Sequence, residues 1–493
     1  MRTSDTTSFP SFASLLRRAR PFACGLLLVL GMPTATSCVR EATAPAVASP
    51  QSQTTTQPLD IKRLAAVADS AAKAQITAGI TPGLSIAIAR HGQLVFAKGY
   101  GKANVEMDVA AGPETVYKVG SITKQYTAAI VMRLVEEGKM SLTDPITKYL
   151  PDYPTQGHHV TIHHLLNHTS GIKAFRVMHE ENRQRFRLDL TYPEMIELFA
   201  KQPFEFKPGE KYEYNNFAYY LLGEIIGRVT GIPYQDYLER QLLGPLGLSN
   251  TMYCEASRVI PHRAAGYEYE EKALINARYL SMRVGPAAGG LCATVGDLLQ
   301  WTTLLHGGKV VSPASLRRMT TPTVLASGDT VGYGYGLQLA ELGSHEQVFH
   351  SGGANGFVSA LAHYPKTGLT VVVLTNSVKA NPAAITKALA RTALGINVRD
   401  LPLTPENIAR YAGTYTYKSG AKTRVLKVYE ESGKLHAQVT GGPVFRLRSQ
   451  GSNVFIPSGN DDNQIIFTPA TDRAAGLTIR EGRWEVTEAK RQE

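Results

Sequence analysis

The sequence predicts an α+β fold, in which an antiparallel sheet is flanked by helices with an all-helical lobe and is followed by a C-terminal all-β, barrel-like domain. Residues 83–101 have the pattern of a hairpin, residues 160–310 are mostly helical in pattern, and strand patterns resume over residues 335–376. From about Leu401 the pattern changes to short alternating strands separated by Ser-Gly and Gly-Gly turns. We therefore expect a first domain over residues 59–398 and a second over residues 403–493.

The first 38 residues have the pattern of an export signal. A basic segment contains Arg17, Arg18 and Arg20, and the apolar segment that follows is too short to span a bilayer. Small residues then precede Cys38, which resembles the lipidated cysteine of a bacterial lipoprotein box; cleavage without lipid fits equally well. Residues 39–58 are rich in Thr, Ser, Gln, Pro and Ala and are predicted to be a disordered linker. We expect an exported protein, either periplasmic or secreted, with Cys38 as the candidate membrane tether.

The composition is that of a globular protein, with 43% hydrophobic and 19% charged residues. The net charge is +11, but no block of five or six consecutive basic residues occurs. We therefore expect no nucleic-acid partner, and no steeply salt-dependent retention on DNA. Cys254 and Cys292 lack the spacing of a metal site, and the sequence leaves open whether they form a disulfide or are two buried thiols.

The elements of the first domain follow from periodicity and from turn residues. Residues 121–137 are apolar on nearly every side of the predicted helix from Ala128 onward, which indicates a helix in the middle of the protein. Helices are predicted at residues 61–73, 121–137, 162–167, 192–201, 217–229, 295–305 and 383–394. Strands are predicted at residues 83–90, 93–101, 335–339, 347–350, 357–364 and 369–376.

Four Ser-x-x-Lys pairs occur, and this spacing places a hydroxyl beside an amine only within a helix. They are Ser70/Lys73, Ser121/Lys124, Ser170/Lys173 and Ser419/Lys422. Ser170 and Ser419 are each followed by glycine, outside a helix, and the first pair lies on a polar helix where both side chains face water.

Ser121 follows Gly120 and begins the apolar helix, so that Lys124 lies one turn further along. An amine in the protein interior has a lowered pKa and can accept the serine proton near neutral pH. The alternative is that Ser121 is only the N-cap of its helix, and on the helix alone this alternative is favoured.

Two further motifs follow in order, Tyr214-Asn215-Asn216 before a helix and His350-Ser351-Gly352-Gly353 at the end of a strand. Together with Ser121 and Lys124 they resemble the β-lactamase and penicillin-binding-protein superfamily. The resemblance is strongest to the branch of class C β-lactamases, DD-carboxypeptidases, D-aminopeptidases and related esterases. It extends from about Gly83 to Leu394 and implies a β-lactamase/transpeptidase-like fold. The C-terminal domain is similar to a β-barrel appended to some D-aminopeptidase-like members.

The resemblance implies a role for each residue of these motifs. Ser121 is the acylated nucleophile, Lys124 its base and Tyr214 a second acid/base group. The substrate-binding residues are Asn216, His350, Ser351 and Gly352, and the oxyanion hole is formed by the N–H groups of Ser121 and Gly353. Each has a simpler alternative: a packed aromatic for Tyr214, an N-cap for Asn216 and a tight turn for the glycines.

The third motif departs from most lactamases, because His350 stands where they carry lysine. Histidine is mostly neutral at pH 7, so this residue favours the D-aminopeptidase and esterase members over an efficient lactamase. The family needs no cofactor, and we expect a small-molecule or peptide substrate. A zinc site at His163, His164 and His168 is not favoured, because no His-Glu-x-x-His arrangement is present. A binding or sensor protein that acylates without turnover remains the alternative, and the sequence does not indicate an oligomeric state.

Overall fold

The computed structural model describes residues 58–174, 184–419, 422–470, 472–481 and 485–492. The predicted export signal with Cys38, and residues 39–57 of the predicted linker, lie outside these ranges. The described chain forms two compact units, Leu59–Val398 and a second that begins at Arg399. Within the described ranges, no helix is both long enough and apolar enough to cross a membrane.

The first unit is built around a seven-stranded antiparallel sheet with the strand order β11-β12-β13-β14-β1-β2-β3. The strands of this sheet are β1 (Gly83–Arg90), β2 (Gln93–Asn104), β3 (Val109–Ala110), β11 (Gln338–Leu342), β12 (His345–Ala354), β13 (Phe357–Tyr364) and β14 (Leu369–Thr375). Every predicted strand has a counterpart in this sheet, but β11 begins three residues later than predicted, at Gln338, and shares only two residues with the predicted strand. β12 is longer than predicted and carries the whole third motif.

Helices cover both faces of this sheet because its central strands are apolar on both sides. On one face Ile86 and Val373, which pair across β1 and β14, pack with Leu64 of α1 and Leu389 of α10. The other face contributes to the larger core, which includes α2 and α8. The helices of the first unit are α1 (Ile61–Thr77), α2 (Thr123–Glu136), α3 (Ile162–Leu166), α4 (Tyr192–Phe199), α5 (Asn216–Thr230), α6 (Tyr234–Tyr237), α7 (Pro286–Gly289), α8 (Val295–His306), α9 (Pro313–Met319) and α10 (Pro382–Ala393).

Helix α2 is the buried helix that the sequence predicts. Eleven of its residues are buried, from Thr123 to Leu134. Tyr126 stacks on Trp301 of α8 with ring centroids 3.7 Å apart, and the indole N–H of Trp301 donates to Gln125 Oε1. Apolar packing therefore surrounds α2 on nearly every side, which removes its first turn from water.

Short strands too small for any periodicity hold the chain just before α2. β4 (Tyr117–Lys118), β8 (Leu291–Ala293) and β5 (Met252–Tyr253) form a three-stranded sheet in this order. Cys292 of β8 and Cys254, which follows β5, are both buried and form a disulfide. The question that the sequence left open is therefore decided in favour of pairing. Two small hairpin pairs complete the unit, β6 (Tyr267–Glu270) with β7 (Ala273–Asn276) and β9 (Thr323–Val324) with β10 (Thr330–Val331).

The second unit is a closed eight-stranded barrel, preceded by α11 (Pro405–Tyr411). Its strands are β15 (Gly413–Ser419), β16 (Lys422–Glu431), β17 (Lys434–Val439), β18 (Val444–Gly451), β19 (Val454–Pro457), β20 (Asn463–Thr468), β21 (Gly476–Glu481) and β22 (Glu485–Arg491). Pairing of β15 with β22 closes the barrel, and Tyr415, Leu426, Phe455 and Phe467 fill its interior. The all-β, barrel-like prediction is confirmed.

Candidate active site

Ser121 lies in a single 3₁₀ turn, Gly120–Ile122, which leads directly into α2. The α-helix itself begins at Thr123, two residues later than the sequence predicts. Neither the turn nor α2 has a side-chain cap. The alternative that Ser121 is only an N-cap is therefore wrong, and its partly buried hydroxyl is available for another partner.

Gly120 determines how this turn meets β12. Its φ angle is +53°, and a Cβ atom at this position would lie 2.6 Å from the backbone nitrogen of Gly353. Only glycine tolerates both the left-handed conformation and this close approach. The backbones of Gly353 and of the residue before Ser121 are thus in direct contact. This contact places the two N–H groups predicted for the oxyanion hole on adjoining segments.

Lys124 is fully buried, and its amine has three oxygen neighbours. The Nζ atom lies 3.1 Å from Ser121 Oγ, 2.8 Å from Asn216 Oδ1 and 2.8 Å from the carbonyl oxygen of Ala288 in α7. The rings of Tyr214 and Tyr219 lie 4.8 Å and 5.4 Å from it. Burial lowers the pKa of Lys124 well below its ordinary value, because a charged amine loses its hydration there.

A neutral amine, the form that burial favours, can satisfy all three contacts. The Asn216 and Ala288 oxygens can only accept, so they take the two N–H bonds of an uncharged –NH₂ group. The lone pair that remains then points to Ser121, whose O–H can donate to it across the 3.1 Å contact. The arrangement is that of a serine hydroxyl held against its base.

Tyr214 brings a second hydroxyl to the nucleophile. Its oxygen is buried and has no hydrogen-bond partner within the described residues. Burial raises the pKa of Tyr214 far above its ordinary value, and the nearby Ser121 side chain only partly opposes this rise. Tyr214 is therefore a neutral phenol that can pass on a proton, whereas Lys124 has the properties of the base.

The two asparagines of the second motif have separate functions. Asn215 is the N-cap of α5: its Oδ1 accepts from the N–H of Phe217, and its Nδ2 donates to the Ile172 carbonyl. Asn216 is the first residue of the helix, and its side chain reaches Lys124. The interpretation of Asn216 as an ordinary N-cap is therefore wrong. Asn215, the middle residue of the motif, is the one that caps.

The third motif lies in β12 beside the nucleophile. Gly352 is buried, and a Cβ atom there would lie 1.9 Å from the Val119 carbonyl, whereas Gly353 is exposed and has open space around it. These glycines lie in a strand, so the tight-turn interpretation is wrong. Ser351 is half-buried. The side chain of His350 is 1% exposed, and both of its ring nitrogens have partners inside the protein.

The other serine–lysine pairs and the histidine cluster are arranged differently. Ser70 and Lys73 are exposed on α1, as predicted, and Ser170 follows the end of α3. His163 contacts the Tyr335 hydroxyl at 2.7 Å, and His164 contacts Thr161. In the part of the chain that the structure describes, no group of three or more His, Cys, Asp or Glu side chains is placed to share a metal ion.

Comparison with known proteins agrees with this geometry. The family described as Beta-lactamase matches residues 68–395, about two thirds of the chain. The chain belongs to this family. It is a hydrolase fold of the β-lactamase and penicillin-binding-protein type, as the sequence resemblance implied, and the predicted class of enzyme is confirmed.

Relatives within the family share both the sequence and the architecture. A D-aminopeptidase of Gluconobacter oxydans is 27% identical over 367 residues, which cover 71% of this chain and 68% of that protein. An octameric penicillin-binding protein homologue from Pyrococcus abyssi covers 88% of this chain and 100% of its own, with 26% identity and a TM-score of 0.58. A D-stereospecific amidohydrolase from Streptomyces covers 67% and 99%, with 25% identity and a TM-score of 0.57.

Sequence reasoning missed three members of the site. The Ala288 carbonyl, which accepts from the Lys124 amine, lies within the residues that match the family. A backbone oxygen, however, has no sequence signature. His168 and Tyr333 lie beneath the third motif and contact each other through Nε2 and the hydroxyl at 3.1 Å. The alternation of glycine and tyrosine from Gly332 to Gly336 is a signal of constrained backbone that could have drawn attention to Tyr333.

Proposed function

We propose that this chain is an exported serine hydrolase that cleaves amide or ester bonds through an acyl-enzyme. The observation that carries the proposal is the buried Lys124 amine, which has two obligate acceptors and the Ser121 hydroxyl as its three neighbours. The small-molecule or peptide substrate enters beside Ser121 and needs no cofactor for this chemistry. The substrates that we favour are D-amino-acid peptides of the peptidoglycan type.

Acylation begins when Ser121 Oγ transfers its proton to Lys124 Nζ and attacks the carbonyl carbon of the substrate. The tetrahedral oxyanion accepts hydrogen bonds from the N–H groups of Ser121 and Gly353, which meet a charge that exists only in the transition state. The bond to the leaving group then breaks. Tyr214 gives its proton to the departing nitrogen or oxygen and takes one from Lys124. Water attacks the ester that remains, releases the acid and returns the proton to Ser121.

Two features support D-amino-acid substrates over β-lactams. Relatives of the chain include a D-aminopeptidase and a D-stereospecific amidohydrolase. The third motif also carries His350 in place of a lysine, and burial lowers the pKa of His350 to about 3. A permanent positive charge, which would suit the carboxylate of a β-lactam, is therefore lacking at this position.

The test is a substrate panel of p-nitrophenyl esters, D-alanyl anilides and nitrocefin, combined with intact mass after exposure to a fluorophosphonate or a fluorescent penicillin. We expect turnover of the esters and D-alanyl anilides, with little turnover of nitrocefin, and one adduct that Ser121→Ala abolishes. A stable adduct without turnover of any ester or amide would favour the alternative of a penicillin-binding sensor. Absence of both adduct and turnover would contradict the hydrolase.

Export is part of the proposal and rests on the pattern of residues 1–38. The protein would act in the periplasm or outside the cell, with or without a lipid on Cys38. Expression in a bacterial host, followed by fractionation and N-terminal mass analysis, separates the outcomes. A diacylated Cys38 in the membrane fraction indicates a lipoprotein, and a soluble mature chain indicates ordinary cleavage. An unprocessed chain in the cytoplasm would contradict export.

A further inference from the structure

A chain of hydrogen bonds runs beneath the third motif and ends on its backbone. The backbone N–H of Asn215 donates to His168 Nδ1 at 3.1 Å, and His168 Nε2 lies 3.1 Å from the Tyr333 hydroxyl. The same hydroxyl lies 3.1 Å from His350 Nε2, and His350 Nδ1 lies 2.6 Å from the Ser351 carbonyl oxygen. His168, Tyr333 and His350 are each no more than 1% exposed. The proposed catalytic steps do not use these hydrogen bonds.

The two ends of this series of hydrogen bonds determine where its protons lie. A carbonyl oxygen only accepts, so His350 Nδ1 carries a proton and donates to Ser351. At the other end, a backbone N–H only donates, so His168 Nδ1 is unprotonated and its Nε2 carries the proton. With both rings neutral, His168 Nε2–H donates to the Tyr333 oxygen, and the Tyr333 O–H donates to His350 Nε2. Every donor then has an acceptor.

A proton added to His350 Nε2 disrupts this order. The nitrogen would become a donor facing the Tyr333 O–H, and the tyrosine proton would have to leave its hydrogen bond. The neighbouring Tyr219 hydroxyl donates to the Leu166 carbonyl at 2.8 Å, and its oxygen keeps a lone pair that can accept a redirected Tyr333 proton. Neutral His350 is thus the form that satisfies the existing hydrogen bonds without rearrangement.

The groups that face His350 give its protonated form no support either. They are Lys124 from α2, Tyr214 from the segment before α5, and Tyr333 from the segment before β11. Among the described residues, no carboxylate contributes to the pKa shift of His350. His168, one step further along the chain, has a pKa lowered by burial and by Lys124. The described surroundings therefore contain no counterion for a positive charge on His350.

We propose that Tyr333 and His168 are specificity-determining positioning residues, which hold His350 neutral with both nitrogens engaged so that the third motif offers neither a cation nor a free donor to the substrate. The site consequently favours substrates that bring no carboxylate to the third motif. This inference rests on the proposed hydrolase function for its kinetic consequence, but the protonation of His350 can be measured without turnover.

The structural test is NMR of the full chain labelled with ¹⁵N-histidine, with the His350 signals assigned through His350→Asn. We expect His350 to retain an unprotonated Nε2 and a protonated Nδ1 across the interval from about pH 5 to pH 8. In Tyr333→Phe the Nε2 signal should move, because its donor is gone. Protonation of His350 within this interval in the parent protein would overturn the proposal, whatever the activity.

The kinetic test compares p-nitrophenyl butyrate with mono-p-nitrophenyl succinate, whose acyl chain ends in a carboxylate. The parent protein should prefer the butyrate at every pH in the interval. Tyr333→Phe should shift the kcat/KM ratio toward the succinate at the acidic end by about tenfold, the scale of one charge-assisted hydrogen bond. If the parent protein hydrolyses neither ester, the proposed function fails while the NMR experiment still decides the inference.

Tyr335→Phe is the matched control. Its hydroxyl contacts His163 Nδ1 at 2.7 Å, so this variant also breaks a tyrosine–histidine hydrogen bond, a partly buried one outside the series of bonds that ends on Ser351. We expect the His350 signals and the ester ratio to stay as in the parent protein. Equal effects of Tyr333→Phe and Tyr335→Phe on both readouts would contradict a specific role for Tyr333.

Discussion

Two serine–lysine pairs with the same spacing occur in helical segments of the same unit, and only one is arranged for catalysis. Ser70 and Lys73 are exposed on α1, whereas Lys124 is 0% exposed beneath Ser121 at the start of α2. Spacing brings a hydroxyl and an amine together in both places. Burial lowers the pKa of Lys124, and two fixed oxygen acceptors orient it. The environment of the amine, more than the motif, makes the base.

The largest expected effect comes from the serines. Ser121→Ala should lower kcat/KM for p-nitrophenyl esters by at least about 10³-fold, because the acyl-enzyme no longer forms. Ser70→Ala should leave turnover within about twofold of the parent protein, since this hydroxyl faces water. Steady-state kinetics with intact-mass labelling checks both variants. Comparable losses in the two would remove the distinction between the pairs.

Substitution of the two lysines should likewise affect kcat strongly in one pair and not in the other. Lys124→Met removes the proton acceptor of Ser121 and should reduce kcat by about 10²-fold or more. Lys73→Met changes an exposed side chain and should have no measurable effect on kcat. Circular dichroism of both variants establishes that they are folded. Full activity in a folded Lys124→Met protein would show that another group is the base.

One glycine near each serine–lysine pair tests how tightly the backbone is packed there. Gly120→Ala meets the Gly353 backbone at 2.6 Å in addition to a φ of +53°, and should reduce the free energy of unfolding by at least about 2 kcal/mol. Gly79, after α1, has a φ of +63° but no atom within 4 Å, so Gly79→Ala should cost only about 1 kcal/mol. Urea denaturation measures both. Equal costs would mean that the contact with Gly353 is not tight.

The smallest effect is a change in the shape of the pH profile. Lys124 works as a base only when it is neutral, so kcat/KM should fall about tenfold per pH unit below its pKa and level off above it. Because burial lowers that pKa, the plateau should be reached well below 10.5. Activity that still rises tenfold per unit up to about pH 10 would contradict the lowered pKa. An ester assay corrected for spontaneous hydrolysis measures this profile.

Lowered pKa values alone do not mark the active site. At the end of β13 away from the third motif, the rings of His363 and of His306 in α8 have centroids 4.1 Å apart and are tilted by 36°. Burial lowers the pKa of His306 to about 4 and that of His363 to about 3. His350 has a similar value, yet its hydrogen bonds lead to the backbone of the third motif. The connection to the third motif distinguishes His350 from a histidine that is merely buried.

Much of the first unit could be predicted from sequence because its elements are long and strongly patterned. The hairpin of β1 and β2, the buried α2 and the strands β12–β14 all have clear periodicity. The three-residue turn that holds Ser121 and the two- and three-residue strands β4, β5 and β8 are shorter than any period. Tertiary contacts form them, as when Val119 N–H donates to the Leu291 carbonyl.

The candidate site was predictable to a similar degree. Ser121, Lys124, Tyr214 and Asn216 are brought together by the fold, as the order of the motifs implied. The substrate-binding role of His350 stays a prediction, and its 1% exposure indicates support of the motif from beneath. Hydrogen bonds between distant segments, such as that from Tyr333 to His350, leave no spacing signature in one sequence.

The stack of Trp301 on Tyr126 gives the protein an optical reporter of its own active-site helix. The chain has two tryptophans, and the other, Trp484, lies outside the described residues. In a Trp484→Phe background, fluorescence would come from an indole whose N–H is bonded to Gln125, the residue next to Lys124. A red-shifted emission would then signal water reaching the helix that holds the catalytic amine, in real time and without a substrate.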